Sequence, residues 1–164
     1  SRSLIFHSSV TSRDLLPEFL KGILGEGDLP YESSDYSEDG KVYTLQKASK
    51  GNGINVVLMG DAFSDRQVAD GTYEEVMRTA ADAFFSEEPY TSFRNLFNVY
   101  YVTAISKNEG YVDGGSTVFS GYFGSGTHVG GDDNKCMQYA ATCPGMTDPL
   151  MNEVLIIVMM NSTT

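Results

Sequence analysis

The chain has 164 residues, 41% of them hydrophobic and 12% aromatic, which excludes a mostly disordered segment and leaves enough length for a core. Lys and Arg number 11 against 22 Asp and Glu, so the net charge is −11, which excludes a general attraction to nucleic acid or to an anionic membrane surface. Val154–Met160 is the longest apolar run and falls far short of the roughly 20 residues that span a bilayer, and Ser1–Val10 lacks the apolar stretch of a signal peptide.

Residues 1–40 read as an N-terminal extension. Asp14 can cap a helix in which Leu16, Phe19, Leu20, Ile23 and Leu24 recur at helical spacing, with Pro17 tolerable in its first turn. Gly25–Gly40 is an acidic, Gly- and Ser-containing linker: Glu26, Asp28, Glu32, Asp35, Glu38 and Asp39 occur there with no Lys or Arg. Lys41–Leu45 alternates as a strand does, and Gly51-Asn52-Gly53 is a turn. Ile54–Met59 is a short apolar run rich in β-branched residues and closed by Gly60, the pattern of a buried strand.

Ser64 with Gln67, and Thr72 with Glu75, are spaced as capping boxes. Tyr73, Val76, Met77, Ala80 and Phe84 then mark one face of a helix whose first turn carries Glu74 and Glu75, matching the helix dipole. Pro89 lies beyond that helix, Ser92–Leu96 reads as a helical turn, and Phe97–Ile105 as a second strand. Residues 108–131 hold eight glycines with Tyr111, Phe119, Tyr122 and Phe123 between them, a loop long enough to be functional or flexible. Asp132-Asp133-Asn134 is an N-cap cluster for a helix over Lys135–Thr142, stopped by Pro144 and Gly145, and Glu153–Met160 is the third core strand. Strand, helix, strand, long loop, helix, strand is an α/β order with the first two strands parallel.

Chemistry-bearing residues are sparse. Asp61 closes the first core strand, where ligands sit in open α/β sheets, or else caps the following turn through its carboxylate. The next residue, Ala62, has no hydroxyl, so an esterase of the Gly-Asp-Ser type would lack its nucleophile, and no G-x-S-x-G occurs. A dinucleotide fingerprint, a Walker A loop, an integrin-like D-x-S-x-S and an EF-hand loop from Asp61 all fail on the residues present. His7 and His128 have no histidine partner four residues away, and the glycines around His128, Asp132 and Asp133 do not preorganise a ligand set. Glu87-Glu88 and Asp132-Asp133 read as solvated faces or caps. Tyr90, Tyr100, Tyr101, Tyr111 and Tyr122 are candidates to line a peptide or sugar groove, with one of Tyr100 and Tyr101 turned into the core. Cys136 and Cys143, seven apart on one helix, would lie about 10 Å apart, beyond the roughly 7 Å reach of a disulfide. They read as half-buried thiols, or as one with a partner elsewhere.

One ordered set of residues carries a family likeness over about residues 41–164. A strand runs into Gly60, Asp61 and Phe63. A helix ends in Phe84-Phe85 and is followed by Glu88-Pro89-Tyr90. Phe93-Arg94 leads to Phe97-Asn98-Val99-Tyr100, and Ser106 precedes Glu109-Gly110. A helix with Lys135 and Tyr139–Ala141 and a strand ending at Asn161 complete the set. This resembles the start of the catalytic domain of peptidase family M64, the IgA peptidase M64 zinc metallopeptidases.

The resemblance implies a zincin or metzincin-like α/β fold, a three-layer sheet with packed helices, of which 41–164 would be the upstream half. It implies a secreted, periplasmic or cell-surface bacterial hydrolase acting on a peptide or protein substrate. The zinc and general-base residues of such enzymes lie on an H-E-x-x-H helix. No H-E-x-x-H occurs in these 164 residues, so no catalytic or metal residue is carried over, zinc is expected only in the complete protein, and the chain alone is expected to be inactive. The opening without Met and the stop just after a strong strand are expected of part of a larger protein. Gly60, Asp61, Phe63, Ser106 and Gly110 remain as a cleft or structural motif. The alternative is a non-catalytic α/β binding module for glycan or peptide, built on the Gly- and Tyr-rich loop 108–131. A Gly-Asp-Ser hydrolase that lost its nucleophile is a third, weaker reading.

Overall fold

The computed structural model describes residues 3–10, 30–146 and 154–162. Their architecture is mixed α/β, a five-stranded mixed sheet with helices on both faces. In chain order the elements are β1 (Ser3–Val10), β2 (Val42–Gln46), β3 (Ile54–Asp61), α1 (Asp65–Ala69), α2 (Thr72–Phe84), a 3-10 turn (Arg94–Leu96), β4 (Phe97–Val102), β5 (Tyr122–Phe123), β6 (Val129–Gly130), α3 (Asp133–Ala140) and β7 (Val154–Ser162). The sheet order is β1-β7-β3-β4-β2, with β1, β7, β3 and β4 parallel and β2 antiparallel on β4. β5 and β6 form a separate two-stranded ribbon inside the Gly-rich loop.

The alternation of β3 divides the core. Val56 and Leu58 face α2 with Tyr73, Met77 and Ala80, while Val57 and Met59 face α3 with Cys136, Met137 and Ala140. β3 and β7 are apolar on both sides because each is covered on both sides, as parallel strands usually are. The expected parallel pairing of the first two core strands is present, in the register Ile54↔Phe97 to Leu58↔Tyr101.

Several local expectations meet a different outcome. Ser64 and Gln67 do form a capping box for α1. Thr72 and Glu75 do not cap α2: its N-cap is Gly71 at φ +88°, and the Thr72 N–H donates to Asp70 Oδ1 at 2.9 Å. The side chain of Asp70 thus takes the bond that a threonine cap would have organised. α3 starts two residues earlier than its expected Lys135, because Asp132 is the residue that caps it, through Lys135 N–H at 3.1 Å. Cys143 therefore lies in the turn beyond the helix. Both thiols are free and buried, and burial pushes each up to about 12.

β4 stops at Val102 rather than Ile105 because the backbone there changes partners: Thr103 exchanges bonds with Gly40 and Lys41, and Ile105 N–H goes to Asp39 Oδ1 at 2.8 Å. The described part of the acidic stretch, residues 30–40, is thereby held to the body of the sheet; Ser33 N–H also donates to Lys107 O, and Glu32 bridges Asn108. Ser3–Val10, left without assignment above, is a strand whose partner β7 lies at the far end of the sequence. The helix expected over Asp14–Leu24 lies outside the described residues.

Candidate functional site

The exit of β3 leads to α1 and α2 on one face of the sheet, and the exit of β4 leads to α3 on the other. Such a parting of loops opens a crevice at the carboxyl ends of the two strands, where α/β proteins commonly bind ligands. Here the chain fills that crevice itself. The ladder between β3 and β4 ends at Leu58↔Tyr101, and the buried Tyr73 hydroxyl is inserted just beyond it. It donates to Val102 O at 2.6 Å and accepts from Gly60 N–H at 2.8 Å and Ala104 N–H at 3.2 Å. The inserted ring explains why residue 60 is glycine: a Cβ there would sit 2.6 Å from Phe63 and 2.8 Å from Tyr73.

One step further out, the fully buried Ser106 ties the two exits together. Its N–H donates to Phe63 O at 2.8 Å, and its Oγ accepts from Ala62 N–H at 3.0 Å and from Val118 N–H at 2.9 Å. Gly110, at φ +76°, donates its N–H to Ala62 O at 2.8 Å. That carbonyl also accepts from Asn161 Nδ2 at 2.9 Å, at the end of β7. Ala62 itself is held at φ +68°, a left-handed conformation costing an L-residue about 1 kcal/mol. The bonds converging on its N–H and carbonyl fix that conformation.

Asp61 plays neither of its two expected roles. It does not cap the following turn, and it presents no open carboxylate to a ligand. Oδ2 accepts from Tyr111 OH at 2.8 Å, Thr117 Oγ1 at 2.9 Å and Gly121 N–H at 2.9 Å, and Oδ1 accepts from Phe119 N–H at 2.8 Å. All four donors come from the Gly-rich loop, and together they replace the water that a buried carboxylate gives up. Burial, with the Asp61 carboxylate beside it, pushes the Tyr111 phenol far above its ordinary value. A Cβ at Gly121 would lie 2.5 Å from Asp61 Oδ2, so this glycine answers to close approach rather than to turn geometry.

The structure thus brings Gly60, Asp61, Phe63, Ser106 and Gly110 together in one buried knot. Sequence reasoning missed Ala62, Tyr73 and Thr117 as its partners; each is an ordinary residue whose role depends on a contact to a distant segment. Tyr111, a groove candidate above, is one of the donors to Asp61. The knot continues through Asn161 Nδ2 to Gln67 Oε1 at 2.9 Å, and the buried Gln67 Nε2 has no hydrogen-bond partner among the described residues. On its outer side Ser64 Oγ donates to Glu109 Oε2 at 2.6 Å, and Arg66 grips Glu109 with Nε at 2.7 Å and Nη2 at 2.9 Å.

The knot borders an open cleft of about 500 Å³ on the α1 and α2 side of the β4 exit. Tyr31, Tyr43, Tyr73 and Tyr101 form its aromatic walls. Tyr43 stacks on Tyr101 with ring centroids 4.9 Å apart, and the Arg66 guanidinium lies 4.0 Å from the centre of the Tyr31 ring. Asp65 at its edge accepts from Tyr31 OH at 2.6 Å and from the N–H groups of Ser34 and Asp35, each at 2.9 Å. Partial burial raises the Asp65 carboxyl, but these bonds outweigh it and hold the group well below the usual carboxylate range.

Among the described residues no group of three or more His, Cys, Asp and Glu side chains gathers as a metal site. His128 is exposed on the loop beside Tyr122, and Asp132 is occupied as a helix cap. The donor set a zinc ion requires is therefore not assembled by these residues. No helix among them is long and apolar enough to cross a membrane. No protein-family model matches the chain, and a search of curated proteins finds no match.

Proposed function

We propose that this chain is the upstream, non-catalytic part of a secreted bacterial zinc metallopeptidase similar to family M64, with a zincin-like catalytic domain. The observation that supports the reading is convergence. Gly60, Asp61 and Phe63, then Ser106 with Glu109 and Gly110, then Asn161 lie in three separate stretches of the sequence and all belong to the set that carries the resemblance, Asp61 standing out also by its place at a strand end. All of them lie in one hydrogen-bonded knot at the carboxyl ends of β3, β4 and β7. A set of motif residues that shares one structural task is what a common domain core would require.

In this reading the knot is scaffold. It holds the strand ends and the Gly-rich loop in place, and the described residues assign no step of peptide hydrolysis to themselves because they do not fit a zinc ion. The zinc and the water-activating carboxylate belong to an H-E-x-x-H helix elsewhere in the complete protein. The test is the longer coding sequence together with zinc content and peptide hydrolysis of the full-length protein. An H-E-x-x-H downstream, stoichiometric zinc and chelator-sensitive cleavage are expected. A full-length protein with no such motif, or with metal-independent activity, would overturn the reading.

A second reading is a non-catalytic module that binds glycan or peptide through loop 108–131. Tyr122 and Phe123 favour it, being 53% and 48% exposed on the β5–β6 ribbon. Replacing both with serine should abolish a glycan-array or peptide-capture signal if this ribbon is the binding element, and a signal that survives would remove this reading.

A further inference from the structure

The open cleft has an aromatic lining and a charge imbalance; of its tyrosines only Tyr73 gives its hydroxyl to the knot. Its volume of about 500 Å³ falls within the usual range of ligand pockets. Tyr43 keeps 40% of its surface exposed while its ring stacks on Tyr101, which is 4% exposed and backs it from the sheet. The wall is thus a supported aromatic surface rather than a mobile side chain.

Asp35, Glu38, Asp65 and Glu74 line the same space, and among the described residues Arg66 is the one cation on that lining. Counting the ion-pair partners Lys41 on Glu38, Arg78 on Glu74 and Glu109 on Arg66, five carboxylates stand against three cations among the described residues. Among the described residues Asp35 and Asp65 are the two lining carboxylates without a cationic hydrogen-bond partner, and they lie on the Tyr31 side of the cleft. Their described donors are the backbone N–H groups of Ser34, Ser37, Arg66 and Asp35 itself, and the hydroxyls of Tyr31 and Ser34. The site also shows its own mode of holding a cation: the Arg66 guanidinium lies over the Tyr31 ring, 4.0 Å from its centre, while Glu109 accepts from Nε and Nη2.

We propose that this cleft binds a cationic side chain of a peptide, arginine or lysine, with the charged head against the tyrosine wall and near Asp35 and Asp65, and the aliphatic stem along the rings. Tyrosine faces attract such heads through the ring quadrupole, and the neighbouring carboxylates add a field that favours them over neutral or acidic side chains. The inference does not depend on the peptidase reading, because its test involves binding to this chain and no hydrolysis.

The experiment titrates the 164-residue chain with blocked arginine and lysine amides, and with blocked norleucine and glutamate amides of similar length, following tyrosine resonances by NMR. Saturable binding of arginine and lysine is expected, about tenfold tighter than norleucine and weakened by added salt, with no binding of glutamate. Tyr43→Leu should weaken arginine binding about three- to tenfold, whereas Tyr43→Phe, which keeps the ring and loses only the hydroxyl bond to Glu38, should stay within about twofold. Asp35→Asn, at an exposed residue, gives a second variant that leaves the fold intact and should also weaken binding. Non-saturable binding, norleucine bound as tightly as arginine, or equal losses in the two Tyr43 variants would overturn the proposal.

Discussion

The buried knot and the open cleft are neighbours built from the same kinds of residue, yet their polar groups are used in opposite ways. In the knot, Asp61 spends its carboxylate on four donors from its own chain and Ser106 joins two strand exits, so neither is available to a ligand. In the cleft, Tyr31 and Tyr43 and the carboxylates of Asp35, Glu38, Asp65 and Glu74 are partly or fully exposed, and the described charges do not balance. An aspartate at the end of a parallel strand is therefore a poor guide to a ligand site unless its hydrogen-bond partners are known. Here it marks where the Gly-rich loop is fastened, and the recognition surface lies beside it.

That contrast can be broken at its strongest point first. Asp61→Ala leaves one buried and one partly buried backbone N–H and two hydroxyls without their acceptor, and should destabilise the protein by about 3 kcal/mol or more. Thermal unfolding checks this, and a loss under 1 kcal/mol would mean the carboxylate does not fasten the loop. Tyr73→Phe removes one hydroxyl that serves three backbone groups and should cost about 2–3 kcal/mol, although the ring stays. Denaturant unfolding of the two proteins side by side measures the difference.

Cleft variants should lie at the other extreme. Tyr43→Leu should change stability by less than about 1 kcal/mol, because the side chain is exposed on an edge strand. A loss as large as that of Asp61→Ala would erase the distinction between the regions.

The smallest effect is a local one with pH. Asp65 is held below its ordinary value of 3.8, so it contributes stability that is present above that pH and lost as pH falls below it. Tyr31, its partner, has its phenol raised above 10.0, chiefly by the bond to Asp65, so that contribution is present below pH 10 and lost as pH rises past it. Amide protection at Ser34 and Asp35 should therefore fall toward both extremes, before the amides of β3 and β4 respond. Protection that is flat across both limits would show that Asp65 does not anchor this segment.

Much of the framework is legible in the sequence. β3, β4, β7 and α2 follow from apolar runs and helical spacing, because the strands are buried over most of their length and α2 along one face, and the patterns record that burial. β1 is not legible, since Ser3–Val10 becomes a strand only by pairing with β7 from the opposite end of the chain. The site is half legible. Gly60, Asp61, Ser106 and Gly110 stand out as residue types with special backbone or hydrogen-bonding capacity. What they do depends on partners 12 to 60 residues away, as with Val118 and Ala62 on Ser106 and Gly121 on Asp61, and no local pattern encodes such contacts. Of the cleft only Tyr101 is among the groove candidates read from the sequence; Tyr31, Tyr43 and Tyr73 join it from three other segments, which no local pattern brings together.

The central claim is that Asp61 fastens the Gly-rich loop instead of facing a ligand. Hydrogen exchange at Phe119 and Gly121, whose N–H groups bond its two oxygens, tests this most directly. Both amides should be protected in the native protein. In Asp61→Asn they should lose protection well beyond the loss at Val57 and Val99 in the strands, since an amide offers one acceptor oxygen where the carboxylate offers two. Unprotected loop amides in the native protein, or equal protection with and without the carboxylate, would contradict the claim.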